Sequence, residues 1–244
     1  MAGLQTSDQK EKENIRREIW AKLERYEVVT HPRPCYGKIP GFIGSRGIQA
    51  KLLKLESFRN AETIYTTPDI PLRLVREESL RKGKNVVVSI PGLRGYIILN
   101  PHLISPQKYG LASTLRGALS LGERIRMPEG LNIDLVFLGS VGTNIKGARL
   151  GRGDGIYDVE YAILRELHSI DEKTPVATIV HDLQVVEREI PMLKHDVPVD
   201  FILTPTRLLI TATPYPRPPG IIWELLSIGF IKSNPILRML FGIS

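Results

Sequence analysis

The runs "NVVVSIP", "GYIILN", "NIDLVFLGS" and "PVATIVH" are apolar almost without a break. A strand with one face in water alternates apolar and polar residues. A strand buried on both faces has no such need, and this is the signature of a mainly parallel sheet covered on each side. Two further runs, "ETIYTT" and "VDFILTPTRLLITAT", read as strands. Between them lie segments of helical periodicity. "LRLVREESLRKG" and "GIYDVEYAILRELHSI" each sit between two strand runs and read as crossover helices. At least two βαβ units follow, and helices on both faces of one sheet are their natural packing.

A first helix is expected from about Gln9 to Glu27, with Ile15, Ile19 and Leu23 on one face and Asp8 as its N-cap. A second is expected near Ile48–Leu55, and one or two short helices over Gly220–Ser244, closing the fold or meeting a neighbour. The chain of 244 residues suits one α/β domain, and no boundary for a second is visible. The expected fold is therefore α/β: a single three-layer α/β/α domain over residues 1–244, with a mainly parallel Rossmann-like sheet. A single cysteine, Cys35, excludes an intramolecular disulfide. It stands between Pro34 and Tyr36 without metal spacing and reads as non-catalytic. The start "MAGLQTSDQKEKENIRREIW" has no apolar signal core. The apolar stretch after Gly220 is interrupted by Glu224, Lys232, Pro235 and Arg238, too often for a membrane span. A soluble, cytoplasmic protein is the expectation.

Charge is uneven. Residues 1–130 hold 22 Lys and Arg against 13 Asp and Glu, and residues 131–244 hold 11 against 13. A basic half suits an anionic partner such as a nucleotide, a phosphorylated metabolite or RNA. It equally describes a solvated basic surface.

The chemistry concentrates in "GSVGTNIKGARLGRGDGIYDVEYAIL". An apolar strand run ends at Gly139. A loop with Gly142, Gly147, Gly151, Gly153 and Gly155 follows, and a helix begins near Tyr157. Glycines let backbone N–H groups approach an anion, and the start of a helix attracts one. Arg149 and Arg152 add fixed, fork-shaped positive charge. Asp158 has two readings, a ligand of Mg²⁺ or a favourable helix-start acid. The spacing is neither G-x-G-x-x-G nor a Walker loop. The alternative to anion binding is a tight glycine turn with surface arginines.

"RLGRGDGIYD" resembles the R-L-G-R-G-x-G-Y-Y-D signature of the 5-formyltetrahydrofolate cyclo-ligase family, also called methenyltetrahydrofolate synthetases. Lys12-x-x-Ile15-Arg16 is similar to that family's K-x-x-L-R helix start. "THPRPCYGKIPGFIGS", "GRGDGIYDVEYAIL" and "TIVHDLQVVEREIPMLKHDVPVDFILTPTR" resemble, in order, motifs of one branch, the methenyltetrahydrofolate synthetase domain-containing proteins. The likeness covers nearly the whole chain.

This resemblance implies a ligase of one-carbon metabolism that uses ATP and Mg²⁺. In such enzymes ATP phosphorylates the formyl oxygen of 5-formyltetrahydrofolate, the second folate nitrogen closes the ring, and phosphate leaves. It implies that Lys12 and Arg16 reach the nucleotide phosphates, that Arg149, Gly151, Arg152, Gly153 and Gly155 form the phosphate loop, and that Asp158 contacts the metal. Tyr157 stacks on a base or packs the helix start. Three positions depart from the family. Asp154 stands where it has lysine, Ile156 where it has tyrosine, and Asn144 where it has aspartate. Asp154 inverts a charge in the middle of the catalytic loop. It serves a second metal, or Lys146 replaces the missing cation, or the ligand differs. The implied ligand is a folate or a related heterocycle. A binding protein without ring closure is the alternative, and the branch has been linked to thiamin metabolism. RNA is a possible partner that the sequence does not favour, since no RNA-recognition octapeptide is present.

His181-Asp182 and His195-Asp196 read as hydrogen-bonded pairs closing strand ends, since adjacent side chains on extended backbone diverge. The segment His31–Gly47, with Arg33, Lys38, Phe42 and Arg46, has two readings: a flap over a pterin or anionic tail, or a proline-stiffened strap packed on the sheet.

Overall fold

A computed structural model describes residues 6–242. The ends of the domain expected over 1–244, residues 1–5 and 243–244, lie outside the described residues. The chain begins with α1 (Ser7–Arg25), β1 (Val29–His31), β2 (Gly41–Phe42), α2 (Arg46–Lys54), α3 (Glu56–Asn60) and β3 (Thr63–Thr66). Then come α4 (Arg73–Arg81), β4 (Asn85–Ser89), β5 (Tyr96–Leu99), α5 (Tyr109–Ala112), α6 (Leu115–Leu121) and β6 (Glu123–Ile125). The second half holds β7 (Leu135–Phe137), β8 (Gly142–Asn144), β9 (Arg149–Leu150), α7 (Ile156–Glu166), β10 (Val176–Ile179) and β11 (Val185–Val186). It ends with β12 (Phe201–Leu203), β13 (Leu208–Ile210), α8 (Ile228–Ser233) and α9 (Pro235–Phe241).

Eight strands form the main sheet in the order β13-β12-β10-β7-β3-β4-β5-β6. The five from β12 to β4 are parallel, and the antiparallel strands stand at the two edges. The apolar runs have the expected cause. In β7, Leu135 and Phe137 face a core with Phe58, Leu72 and Val75, while Val136 faces the opposite core with Tyr161 and Ile163. Ile64 and Tyr65 of β3 divide in the same way. α2, α3 and α4 cover one face, and α7, α8 and α9 cover the other, giving the three layers. α8 and α9 close the fold through Ile231, Ile236 and Leu237.

Both expected crossovers are present, as β3-α4-β4 and β7-α7-β10. From β3 the chain moves to β4 on one side, and from β7 it moves to β10 on the other. The carboxyl ends of β3 and β7 therefore flank a switch point, the usual ligand position in such sheets.

Three expectations change. The first helix is capped by Thr6, not Asp8: Thr6 Oγ1 accepts from Gln9 N, and Gln9 Oε1 accepts from Thr6 N. Thr6 stands two residues before Asp8, and the reciprocal capping box with Gln9 places the helix start there. "VDFILTPTRLLITAT" is an antiparallel hairpin, turning at Pro205–Arg207. The glycine loop does not follow directly from the strand run that reaches Gly139. A ribbon of β8 and β9, joined by β11, intervenes. Its turn depends on Asn144, whose Oδ1 accepts from Lys146 N and Ala148 N. The departure at Asn144 is thus structural in this fold.

Candidate functional site

Ile15, Ile19 and Leu23 recur along one stripe of α1 and bury it against Val141, Ala148, Leu150 and Tyr157. That packing sets Lys12, one turn before Ile15, and Arg16, next to Ile15, beside the glycine loop. Arg16 Nε donates to Gly151 O at 2.8 Å. Gly153 adopts φ +107°, and a Cβ there would stand 3.4 Å from the Arg16 guanidinium. Gly155 caps α7 at φ +69° and offers no side-chain acceptor to the first turn. Both glycines hold backbone that L side chains rarely adopt. The N-terminal N–H groups of α7 lack intrahelical partners and carry the positive end of its dipole.

A cavity of about 790 Å³ opens at this point, and Lys12, Arg16, Arg149 and Arg152 all line it. Gly151, Gly153, Asp154, Gly155, Tyr157 and Asp158 line it too. Residues at 12–16 and 149–158 thus meet in one place.

Their roles differ. Arg149 is only 2% exposed and bonded on three sides. Its Nε donates to Val197 O at 3.1 Å, its Nη1 to Gly139 O at 3.1 Å, and its Nη2 to Asp158. It ties the strand ends to α7 and forms the floor of the cavity. Asp158 Oδ1 also accepts from Val197 N at 3.0 Å, and its Oδ2 has no hydrogen-bond donor among the described residues. Of the two readings of Asp158, the helix-start acid is visible, bound in an ion pair. Among the described residues no three His, Cys, Asp or Glu cluster closely enough to hold a metal by themselves. Any ion here would rely on Asp158 Oδ2 and the oxygens of a bound anion, donors of the kind that Mg²⁺ accepts.

Arg152 is more available. Its Nη2 donates to Asp154 Oδ2 at 2.6 Å, and its guanidinium stands 5.2 Å from the centre of the Tyr157 ring. Its Nε is buried without a partner. Burial opposes its charge, yet Tyr157, Asp154 and Asp69 together outweigh burial and raise its pKa. Burial lowers that of Arg16, against the pull of Glu13 and Asp196. Tyr157 packs the helix start: its hydroxyl donates to Asp69 Oδ1 at 2.9 Å, and Arg152 covers its ring. Asp69 follows β3 at the switch point, and burial pushes its carboxyl up.

Lys146 does not replace a cation beside Asp154. It lies outside the cavity lining and pairs with Glu189 on the surface. Two sequence candidates also separate. His181 and Asp182 are structural: His181 Nδ1 accepts from Leu183 N, and Asp182 Oδ1 accepts from Thr204 and Thr206 hydroxyls. His195 and Asp196, also expected to be structural, line the cavity, and Asp196 Oδ2 receives Lys12 Nζ. No local period marks Asp196, since its partner stands 184 residues away. The segment His31–Gly47 is a strap on α1. Trp20 Nε1 donates to Lys38 O at 2.9 Å, and Cys35 N donates to Glu24 Oε1 at 2.6 Å. None of its residues lines the cavity. The segment Pro218–Phe230 adds a largely apolar part of the cavity lining that no sequence motif marks. No helix among the described residues is long and apolar enough to cross a membrane.

The model of the 5-formyltetrahydrofolate cyclo-ligase family matches residues 8–205. A methenyltetrahydrofolate synthase domain-containing protein of Mus musculus is 37% identical over 244 residues, covering 97% of this chain and 65% of the relative. Its Homo sapiens counterpart is 37% identical over 236 residues, covering 94% of this chain and 61% of the relative. The chain thus spans somewhat under two thirds of the curated relatives it matches. The NMR structure of Aquifex aeolicus 5,10-methenyltetrahydrofolate synthetase superposes with a TM-score of 0.52 at 20% identity, covering 84% of this chain and 94% of that one, a likeness of fold. The match over residues 8–205 includes α1, the glycine loop and the start of α7, and on that ground the chain belongs to the 5-formyltetrahydrofolate cyclo-ligase family.

Proposed function

We propose that the cavity binds ATP with Mg²⁺ and supports ring closure on a folate or a related heterocycle. The observation that carries this reading is the convergence of Lys12, Arg16 and Arg152 on a glycine loop at a helix start whose N-cap, Gly155, has no side chain. Four features favour an anion in the same space: backbone N–H groups, a helix dipole, guanidinium forks and a lysine. In the reaction implied by family membership, a formyl oxygen takes the γ-phosphoryl group, ADP departs, and a neighbouring nitrogen then displaces phosphate from the formyl carbon. Little covalent chemistry falls to the protein, whose work is positioning and charge stabilisation. Arg16 and Arg152 hold the phosphates, and Tyr157 orients Arg152. Arg149 keeps the floor of the site rigid. Asp158 Oδ2 is the carboxylate edge available to the metal, since both oxygens of Asp154 are engaged by Arg152 and Ile156 N.

A second reading rests on one observation: Asp154 occupies Arg152. If that pair persists with ligand bound, the protein is a nucleotide- or metabolite-binding relative without cyclo-ligase activity, and thiamin intermediates are then candidate ligands. Losing one aligned charge donor slows such reactions by a factor on the order of 10²–10³. Incubation with ATP, Mg²⁺ and 5-formyltetrahydrofolate, followed by methenyltetrahydrofolate absorbance, separates the two. The first reading expects slow, strictly ATP-dependent turnover. No turnover, with ATP or a thiamin intermediate bound in a parallel calorimetric titration, supports the second reading, and binding of none of these ligands contradicts both.

A further inference from the structure

The family match ends at residue 205, yet the cavity does not. Its wall opposite the glycine loop is built from Ile221, Ile222, Leu225, Leu226 and Phe230, all beyond that point. Val159 and Ala162 of α7 line the same cavity and continue its apolar surface. The wall is fixed at both ends. Arg217 donates to Glu172 O and Thr174 O and pairs with Asp200. Ile221 N donates to Glu166 Oε2 at 3.2 Å, and Ser227 caps α8. Ile231 and Ile236 then enter the main core. The surface is therefore formed before any ligand arrives.

One cavity thus has a cationic end and an apolar end on the same helix. Ala162 stands seven positions beyond Gly155, which at ~1.5 Å per residue places it about 10 Å along α7. A bare phosphate does not bridge that distance, whereas a nucleotide extends from its phosphates through the sugar to its base. We propose that the segment Pro218–Phe230 forms the base-binding wall of the nucleotide site, with Ile222, Leu225 and Phe230 as specificity-determining residues for a planar heteroaromatic group. This inference rests on the phosphate reading of the glycine loop.

The test compares ATP with inorganic tripolyphosphate, both as Mg²⁺ complexes, by calorimetric titration of the full chain. Leu225 is 42% exposed, so Leu225→Gln removes apolar contact with little risk to the fold. Phe230→Ala is the second variant, and the melting temperature of each unliganded protein is recorded. The wild-type protein should bind ATP more tightly than tripolyphosphate. Each variant should weaken ATP by roughly threefold to tenfold, from the lost apolar contact, and leave tripolyphosphate unchanged. Equal affinity for the two ligands, or an equal loss for both in the variants, overturns the base wall while the phosphate reading stands. Failure of tripolyphosphate and ATP alike to bind overturns the phosphate reading and this inference with it.

Discussion

Arg152 and Asp154 face each other across one residue of the glycine loop, with Nη2 2.6 Å from Oδ2. The acidic residue that breaks the family pattern is thus paired inside the loop. Asp154 Oδ1 also accepts from Ile156 N at 3.3 Å, so it helps to fix the start of α7. Asp154→Lys should release Arg152 toward the cavity and change the local charge by two units. Even in a high effective dielectric that is worth about 1 kcal/mol or more, so ATP affinity should rise about fivefold or more. Folate turnover should gain little, because Ile156 still stands in place of the family's tyrosine. A fall in ATP affinity would show that Asp154 helps to hold the ligand or its metal.

The buried Arg149–Asp158 pair makes a different prediction. Arg149→Met leaves the Asp158 carboxylate buried without its cation, which costs about 3–5 kcal/mol. For a chain of this size the melting temperature should drop by roughly 10 °C. Arg149→Met with Asp158→Asn removes the orphaned charge and should recover part of that loss, as read by thermal unfolding. An unchanged melting temperature in the single variant would remove Arg149 from its structural role.

Glu160 gives a pH signature. It is buried on the sheet side of α7, where its Oε2 accepts from Tyr65 Oη at 2.7 Å and its Oε1 has no partner. Burial pushes its carboxyl up to about 8, against the hydrogen bond from Tyr65. An unfolded chain releases that proton near the ordinary glutamate value of about 4.3. Between those values the folded state binds more protons, so this group's contribution to stability falls as pH rises through that window and then levels off. Glu160→Gln should therefore melt at increasingly higher temperature than the wild type as pH goes from 5 to 8. A constant difference would contradict a neutral Glu160.

Cys35 is fully buried, and its Sγ approaches Trp20 O at 3.8 Å. Burial, with Glu24 beside it, pushes its thiol up to about 12. It should resist thiol reagents in the native protein and react in denaturant. Rapid native labelling would show that the strap on α1 opens.

The layers of the fold are legible in the residues because burial on both faces leaves a plain mark: Leu135, Val136 and Phe137 are all apolar though they point into different cores. The stripe of Ile15, Ile19 and Leu23 is equally plain. The cap of α1 is less so, because Thr6 and Asp8 are both good caps and only the position of Gln9 decides. The ribbon of β8 and β9 has almost no pattern, being held by the Asn144 side chain rather than by periodicity. In the site, the glycine loop announces itself by composition. The pairing of Lys12 with Asp196 and the apolar wall beyond Pro218 do not, since each depends on packing between distant segments.

The central claim is that α1 and the glycine loop together hold a triphosphate. Titration of ATP·Mg²⁺ into the wild-type protein and into Arg152→Met tests it most directly. The substitution keeps a long unbranched side chain at this position and removes the charged donors. Saturable binding of one ATP per chain, weakened roughly 10- to 100-fold in Arg152→Met at an unchanged melting temperature, is the predicted result. No binding to the wild-type protein, or equal binding to both, would contradict the account.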